Sequence, residues 1–285
     1  MNSNNEPKKL LTPFNLTQLF GTRWGMMMGL TCDPFQSASL AIYGEWAGQE
    51  VDAMCSLIKP GDVVLDVGAN IGTVTVAFAK RVGTAGHVYA FEPQKSPYYL
   101  LCGNIALTST LYQTTAINAA VGEADGMIDV PLVDISKPFN LGGVRLDDPN
   151  YIRAAAYEQV AMIKIDSLGL QRCDLMKIDV ETMEAKVLLG ATNTIAKYKP
   201  VIFAETLADK TNPHEMQNLN KMAYILNAHG YKMFAYQSEL YSPNNARFCP
   251  DNIFPGTDQI LIAWPDNKEA PDWIKNLRPI LMNEA

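Results

Sequence analysis

The chain has 285 residues, 48% of them hydrophobic and 19% charged, with a formal net charge of −7. That is enough apolar material for one sizeable core with at most a small extra lobe. An acidic chain gains little from a polyanion, and no Lys/Arg run is present, so a nucleic-acid partner is not expected.

From the N-terminus, Met1 to Lys9 is polar and lacks the layout of a signal peptide. Met26 to Leu30 is apolar but far too short to cross a bilayer, and is expected to pack against the main domain. Val51, Met54, Leu57 and Ile58 have helical spacing, and Lys59-Pro60-Gly61-Asp62 ends that helix. Val63 to Leu65 reads as a buried strand, and Thr73 to Arg81 as a helix closed near Gly83. His87 to Phe91 reads as the second strand. Ser96-Pro97 reads as an N-cap with proline at the first helical position, and Ala116 to Val121 as a third strand. Gly122 to Leu168 breaks the rhythm with Gly142-Gly143, prolines and short alternating runs, the pattern of a β-rich insertion. Leu175 to Val180 is again a strand, Glu184 to Lys197 a helix, and Val201 to Ala204 a strand. Asn212-Pro213-His214-Glu215 resembles a capping box opening a helix that ends at Gly230. Tyr231 to Tyr236 and Gln259 to Trp264 close the series.

Strands alternating with helices imply a mostly parallel sheet covered on both faces. The expected division is a cap or lid segment over 1–45 and a main domain over 46–285 with its insertion at 122–168. The five cysteines, Cys32, Cys55, Cys102, Cys173 and Cys249, lack the close pairing of zinc ribbons or disulfide frameworks. Free thiols and a cytoplasmic location are expected, with no membrane partner. His87, His214 and His229 are too scattered for a metal motif.

Three patterns carry chemistry. Asp66-Val67-Gly68-Ala69-Asn70-Ile71-Gly72 joins a strand to a helix, and glycines there let the backbone approach a ligand. Asn70 occupies the second glycine position of the dinucleotide fingerprint, which argues against an NAD(P)-dependent oxidoreductase, the competing enzyme class. Glu92 ends the second strand about 20 residues beyond the loop, where an acidic residue binds ribose hydroxyls. Asp179 and Glu181 end a central strand, and Glu205 ends the next one at the same carboxyl rim. Ligands of open α/β sheets gather there. These carboxylates could orient a substrate, accept a proton or hold a divalent cation. Glu184 is expected to serve a helix N-terminus.

Tyr43-Gly44-Glu45-Trp46, the Asp66–Gly72 run, Phe91-Glu92-Pro93, Asn118-Ala119-Ala120-Val121-Gly122, Lys177-Ile178-Asp179-Val180-Glu181 and Ala204-Glu205 together resemble FkbM-type methyltransferases over roughly residues 43–264. The resemblance implies a Rossmann-like class I methyltransferase fold, with a mostly parallel sheet of seven strands. It implies S-adenosylmethionine as cofactor, S-adenosylhomocysteine as product, and transfer to a hydroxyl of a small molecule such as a natural product or sugar. Transfer to a nitrogen of a peptide or amide substrate and a non-catalytic binding protein on the same fold are the alternatives. The expected cofactor contacts are Asp66, Gly68, Ala69, Asn70, Gly72, Glu92, Pro93, Ala120 and Asp179. Asp179, then Glu205 and Glu181, are the expected catalytic groups. Asp179 and Glu205 offer too few ligands in sequence to specify a metal, so none is assigned. The family usually has glycine after the Asp-Val-Glu triplet; this chain has Thr182.

Overall fold

A computed structural model describes residues 16–147, 154–206 and 212–280. Its elements follow in chain order. A hairpin, β1 (Thr17–Thr22) and β2 (Gly25–Leu30), leads to α1 (Gln36–Ile42) and α2 (Gly48–Leu57). The central unit then alternates: β3 (Val63–Val67), α3 (Thr73–Val82), β4 (His87–Phe91), α4 (Lys95–Leu107), β5 (Thr114–Ile117). Next come β6 (Ala120–Val121), β7 (Gly126–Pro131), β8 (Tyr157–Ile163) and a single 3₁₀ turn (Ile165–Leu168). The alternation resumes with β9 (Leu175–Ile178), α5 (Glu184–Gly190), α6 (Thr192–Tyr198), β10 (Val201–Glu205) and α7 (Pro213–Ala228). It closes with β11 (Tyr231–Glu239), β12 (Thr257–Pro265), α8 (Asp272–Lys275) and β13 (Arg278–Pro279).

The main sheet has the order β13-β11-β12-β10-β9-β3-β4-β5. Strands β5, β4, β3, β9 and β10 pair in parallel, and β12 runs against both β10 and β11. This is the Rossmann-like fold of class I methyltransferases. It has one strand more than the seven expected, because the short β13 adds to the β11 edge. Alternate residues of each central strand enter opposite layers. Leu65, Met176, Ile202 and Leu261 pack with α5, α6 and α7, whereas Val64, Leu175, Phe203 and Ile262 pack with α2, α3 and α8. Burial on both faces explains why β3, β9 and β10 read as continuous apolar runs.

Three local expectations need correction. The third strand ends at Ile117, since Ala119 N–H turns back to the Ile117 carbonyl and Asn118 ties itself to the Glu92 and Pro93 carbonyls. Ala120–Val121 therefore leave the main sheet and pair with β8, in a separate three-stranded sheet with β7. The helix expected over 184–197 is two helices. At its break a Cβ on Gly190 would lie 2.0 Å from the Gly122 carbonyl oxygen, and Asp166 accepts the Asn193 and Thr194 N–H groups that open α6. The helix after β4 starts before Ser96, with Gln94 as its cap. Asn212 does cap α7, accepting from His214 N–H with Pro213 in the first turn.

Met27 and Leu30 of the N-terminal hairpin are buried, and Asn104 of α4 bonds both main-chain groups of Met28. All five cysteines are free thiols. Among the described residues no helix is long and apolar enough to cross a membrane.

Candidate active site

The strand order reverses between β3 and β9, so the crossovers leave a crevice at their carboxyl ends. The loop after β3 is drawn tightly to its neighbours. Gly68 and Ala69 both donate to the Phe91 carbonyl, and Lys177 donates to the Gly68 carbonyl at 2.9 Å. Gly68 has φ +81°, and a Cβ there would lie 1.7 Å from the Asp179 carbonyl oxygen, so a side chain is excluded by both conformation and space.

Glu92, buried at the end of β4, uses both carboxylate oxygens on the main chain: one accepts from Asn70 N–H and the other from Gln94 N–H, each at 2.8 Å. Burial nonetheless pushes its carboxyl up to about 7. Beside it, Gln94 Nε2 donates to the Leu141 carbonyl, while the buried Gln94 Oε1 has no hydrogen-bond partner among the described residues.

The carboxyl rim of β9 and β10 is organised by a lysine. Lys177 is buried, with its ammonium 2.9 Å from Asp179 and 3.5 Å from Asp66. Burial alone would raise the Asp179 carboxyl. The Lys177 charge and hydrogen bonds from Glu205 and Lys177 outweigh that and hold it below the ordinary carboxylate range. Glu205 moves the other way: burial, then the adjacent Asp179 charge, push it well above that range. The two carboxyls are thus driven apart, Asp179 toward its ionised form and Glu205 toward its neutral one. Burial, then the charges of Asp179 and Glu184, raise Glu181 to about 8. Oxygens of Asp179, Glu181 and Glu205 all come within 4.8 Å of one another, close enough to face a single cation. The Lys177 ammonium already supplies positive charge there.

Beyond Asp179 the chain is contorted. Glu181 has φ +51° and Thr182 φ +82°, conformations that cost a residue other than glycine about 1–3 kcal/mol. Glu184 steadies the turn by accepting from Val180 and Thr182 N–H, each at 3.3 Å. The N-cap of α5 is Met183 with no side-chain bond, so Asp179 does not cap that helix.

These groups line a cavity of about 280 Å³. Gly68, Asn70, Glu92, Pro93, Ala120, Asp179, Glu181 and Glu205 all face it. Asp66, Ala69 and Gly72, placed with the cofactor contacts in sequence, do not. Asp66 is fully buried behind the loop, where it accepts from Thr75 Oγ1 at 2.6 Å and pairs with Lys177. Gly72 caps α3 with φ +87° against Leu101. Asn140, Leu141, Gly142, Val144 and Leu146, with Phe35 and Gln36, also line the cavity.

Three lining groups escaped the sequence. Lys177 carried a signal, as a charge inside an otherwise apolar strand. Glu50 of α2 and Asp258 of β12 carried none, and burial pushes them up to about 8 and about 6. Lys177 is the one basic side chain among the described lining residues, against six carboxyls. Such an excess suits a ligand with positive charge. Adenosylmethionine has a sulfonium and an ammonium against one carboxylate, hydroxyls for Glu92, and donors for Gln94 Oε1, so the residues present fit it.

AMB antimetabolite synthetase AmbE of Pseudomonas aeruginosa is 28% identical over 243 residues, 73% of this chain, but the chain spans only 11% of that protein. The 31-O-demethyl-FK506 methyltransferase FkbM of Streptomyces tacrolimicus is 25% identical over 213 residues, covering 65% of this chain and 78% of that protein. Among solved structures, the FkbM methyltransferase of Methylobacillus flagellatus matches with TM-score 0.45 and 17% identity, over 76% of this chain and 51% of that one. An O-methyltransferase of Bacillus cereus in complex with SAH matches with TM-score 0.44 and 14% identity, over 76% and 79% of the two chains. The model of the methyltransferase FkbM domain matches residues 66–233, more than half of the chain, which takes in the glycine loop, Glu92, the β9 rim and Glu205. The chain belongs to the FkbM methyltransferase family.

Proposed function

We propose that the protein methylates a hydroxyl oxygen of a small molecule, with Glu181 as proton acceptor and Asp179 as the anchor of the cofactor's ammonium. The observation that carries this reading is the divergence of neighbouring carboxyls on one rim. Asp179, beside Lys177, stays ionised and is a weak base. Glu181, two residues on, titrates at about 8, near the range where a general base works best. Glu205, protonated toward Asp179, fixes the orientation of that carboxylate.

When bound, adenosylmethionine supplies a methyl group on a positively charged sulfur, which keeps the bonding electrons as the acceptor oxygen takes the methyl. The protein's own part is positioning and proton removal. Glu92 and Gln94 are placed to hold the ribose and adenine, and Asp179 the amino group. Glu181 takes the acceptor's proton as its oxygen attacks. The residues over 140–146 exclude water. Lys177 gives Asp179 its counter-charge, so we assign no metal, and activity is expected to survive exhaustive chelation. The relative named for a 31-O-demethyl compound supports an oxygen acceptor.

The test uses adenosylhomocysteine release with two panels, hydroxylated small molecules and primary amines. The hydroxyl panel should be active. Glu181→Gln should lower its turnover by about 10²-fold with cofactor affinity unchanged. Asp179→Asn should first weaken adenosylmethionine binding, by about 10-fold. Methylation confined to the amines would replace oxygen by nitrogen as the acceptor. Normal turnover in Glu181→Gln would remove it as the base.

A further inference from the structure

We infer that Thr182 is a positioning residue, whose hydroxyl clasps Asp147 and thereby holds residues 140–147 as the roof of the cavity. The inference rests on the cavity being the methyl-transfer site. Thr182 is 4% exposed and holds φ +82°, a conformation that glycine would adopt without strain. A strained residue persists where its side chain is needed. Here Thr182 Oγ1 donates to Asp147 Oδ1 at 2.8 Å. The other Asp147 oxygen takes the Lys186 ammonium at 3.1 Å, with His214 Nε2 at 3.7 Å.

Asp147 directly follows a stretch that lines the cavity through Asn140, Leu141, Gly142, Val144 and Leu146. No helix or strand runs through residues 140–147, so side chains must anchor them. Gln94 holds the near end through the Leu141 carbonyl at 2.8 Å. Arg145 pairs with Glu215 of α7 at 2.8 Å. The Thr182 clasp ties the roof to the turn after β9, next to Asp179 and Glu181. Because Thr182 follows Glu181 directly, one residue sets both the contorted rim and the position of the roof over it.

The test compares Thr182→Val, Thr182→Ser and Thr182→Gly by amide hydrogen exchange of the cofactor-free protein, melting temperature, and calorimetric titration with adenosylhomocysteine. Thr182→Val keeps the branched shape and loses the bond. Exchange over 140–147 should rise about 10-fold and adenosylhomocysteine should bind about 5- to 10-fold more weakly. Thr182→Ser should restore both. Thr182→Gly relieves the strain, so it should melt no lower than the parent protein yet show the fast exchange of Thr182→Val. That separation is something a purely structural role would not produce. Unchanged exchange over 140–147 in Thr182→Val and Thr182→Gly overturns the inference, as does faster exchange with unmoved affinity. Failure of the parent protein to bind adenosylhomocysteine would instead remove the cavity's assigned function, while the exchange data would still decide the clasp.

Discussion

At the β3–β4 end of the cavity, polar groups other than Gln94 Oε1 are tied to the main chain. Both Glu92 oxygens accept backbone N–H groups, Asn118 bonds two carbonyls, and Gly68 and Ala69 share the Phe91 carbonyl. At the β9–β10 end, Glu50, Asp179, Glu181, Glu205 and Asp258 line the cavity with a single lysine, and two consecutive residues hold left-handed backbone. The first end is a rigid cradle suited to a ligand that never varies. The second is a stressed electrostatic cluster, suited to placing charge and moving a proton. A reaction that pairs a constant methyl donor with a particular acceptor needs both.

The comparison is broken most severely where the two ends touch. A Cβ at Gly68 would lie 1.7 Å from the Asp179 carbonyl oxygen and would force the glycine loop away from β9. Gly68→Ala should lose about 4–5 kcal/mol of stability in denaturant unfolding, together with cofactor binding. A loss under about 1 kcal/mol would mean that the close approach does not hold the crevice together.

A smaller effect should follow from Lys177→Met, which leaves Asp66 and Asp179 without their shared cation. About 3 kcal/mol is expected, because breaking a buried pair leaves charge uncompensated. Unfolding curves of Lys177→Met beside the double variant with Asp66→Asn test this. Removing the Asp66 charge should recover part of the loss. No recovery would show that the lysine acts through packing alone.

The mildest test is pH. Glu50 and Glu181 titrate at about 8, Glu92 and Glu184 at about 7, and Asp258 at about 6, all raised first by burial. Groups raised in the folded state bind more protons there than in the unfolded chain. The cofactor-free protein should therefore lose stability as pH rises from about 5 to 8, the reverse of ordinary carboxylates. Asp179 has the opposite sign, but its contribution is lost only at acid pH, below that window. Melting temperature against pH reads the slope directly. Adenosylmethionine should flatten it more than adenosylhomocysteine, because only the former carries the sulfonium charge. A slope rising toward pH 8 would overturn the account of the acidic end.

The two ends also differed in how far they could be read in advance. The cradle lies in short stretches that join a strand to its following loop, and Gly68, Asn70, Glu92 and Pro93 all line the cavity. Asp66 shows the limit of that reading. Its position in the motif was plain, but whether a residue on β3 turns toward the ligand or into the layer behind depends on Thr75 and Lys177. The split of the third strand at Asn118 and the break at Gly190 also depend on contacts with distant main chain. Periodicity cannot register either.

The sequence by itself determined the α/β alternation, the glycine loop and the acidic ends of β4, β9 and β10. Each follows from side-chain period and from residues that are neighbours along the chain. Only the tertiary structure decided what those acids do. Strand order placed Lys177 between Asp66 and Asp179, brought Glu50 and Asp258 from distant elements, and set Asp147 of the insertion against Thr182. Protonation of a carboxyl depends on burial and on the charges within a few ångströms, and those distances exist only once the chain has folded.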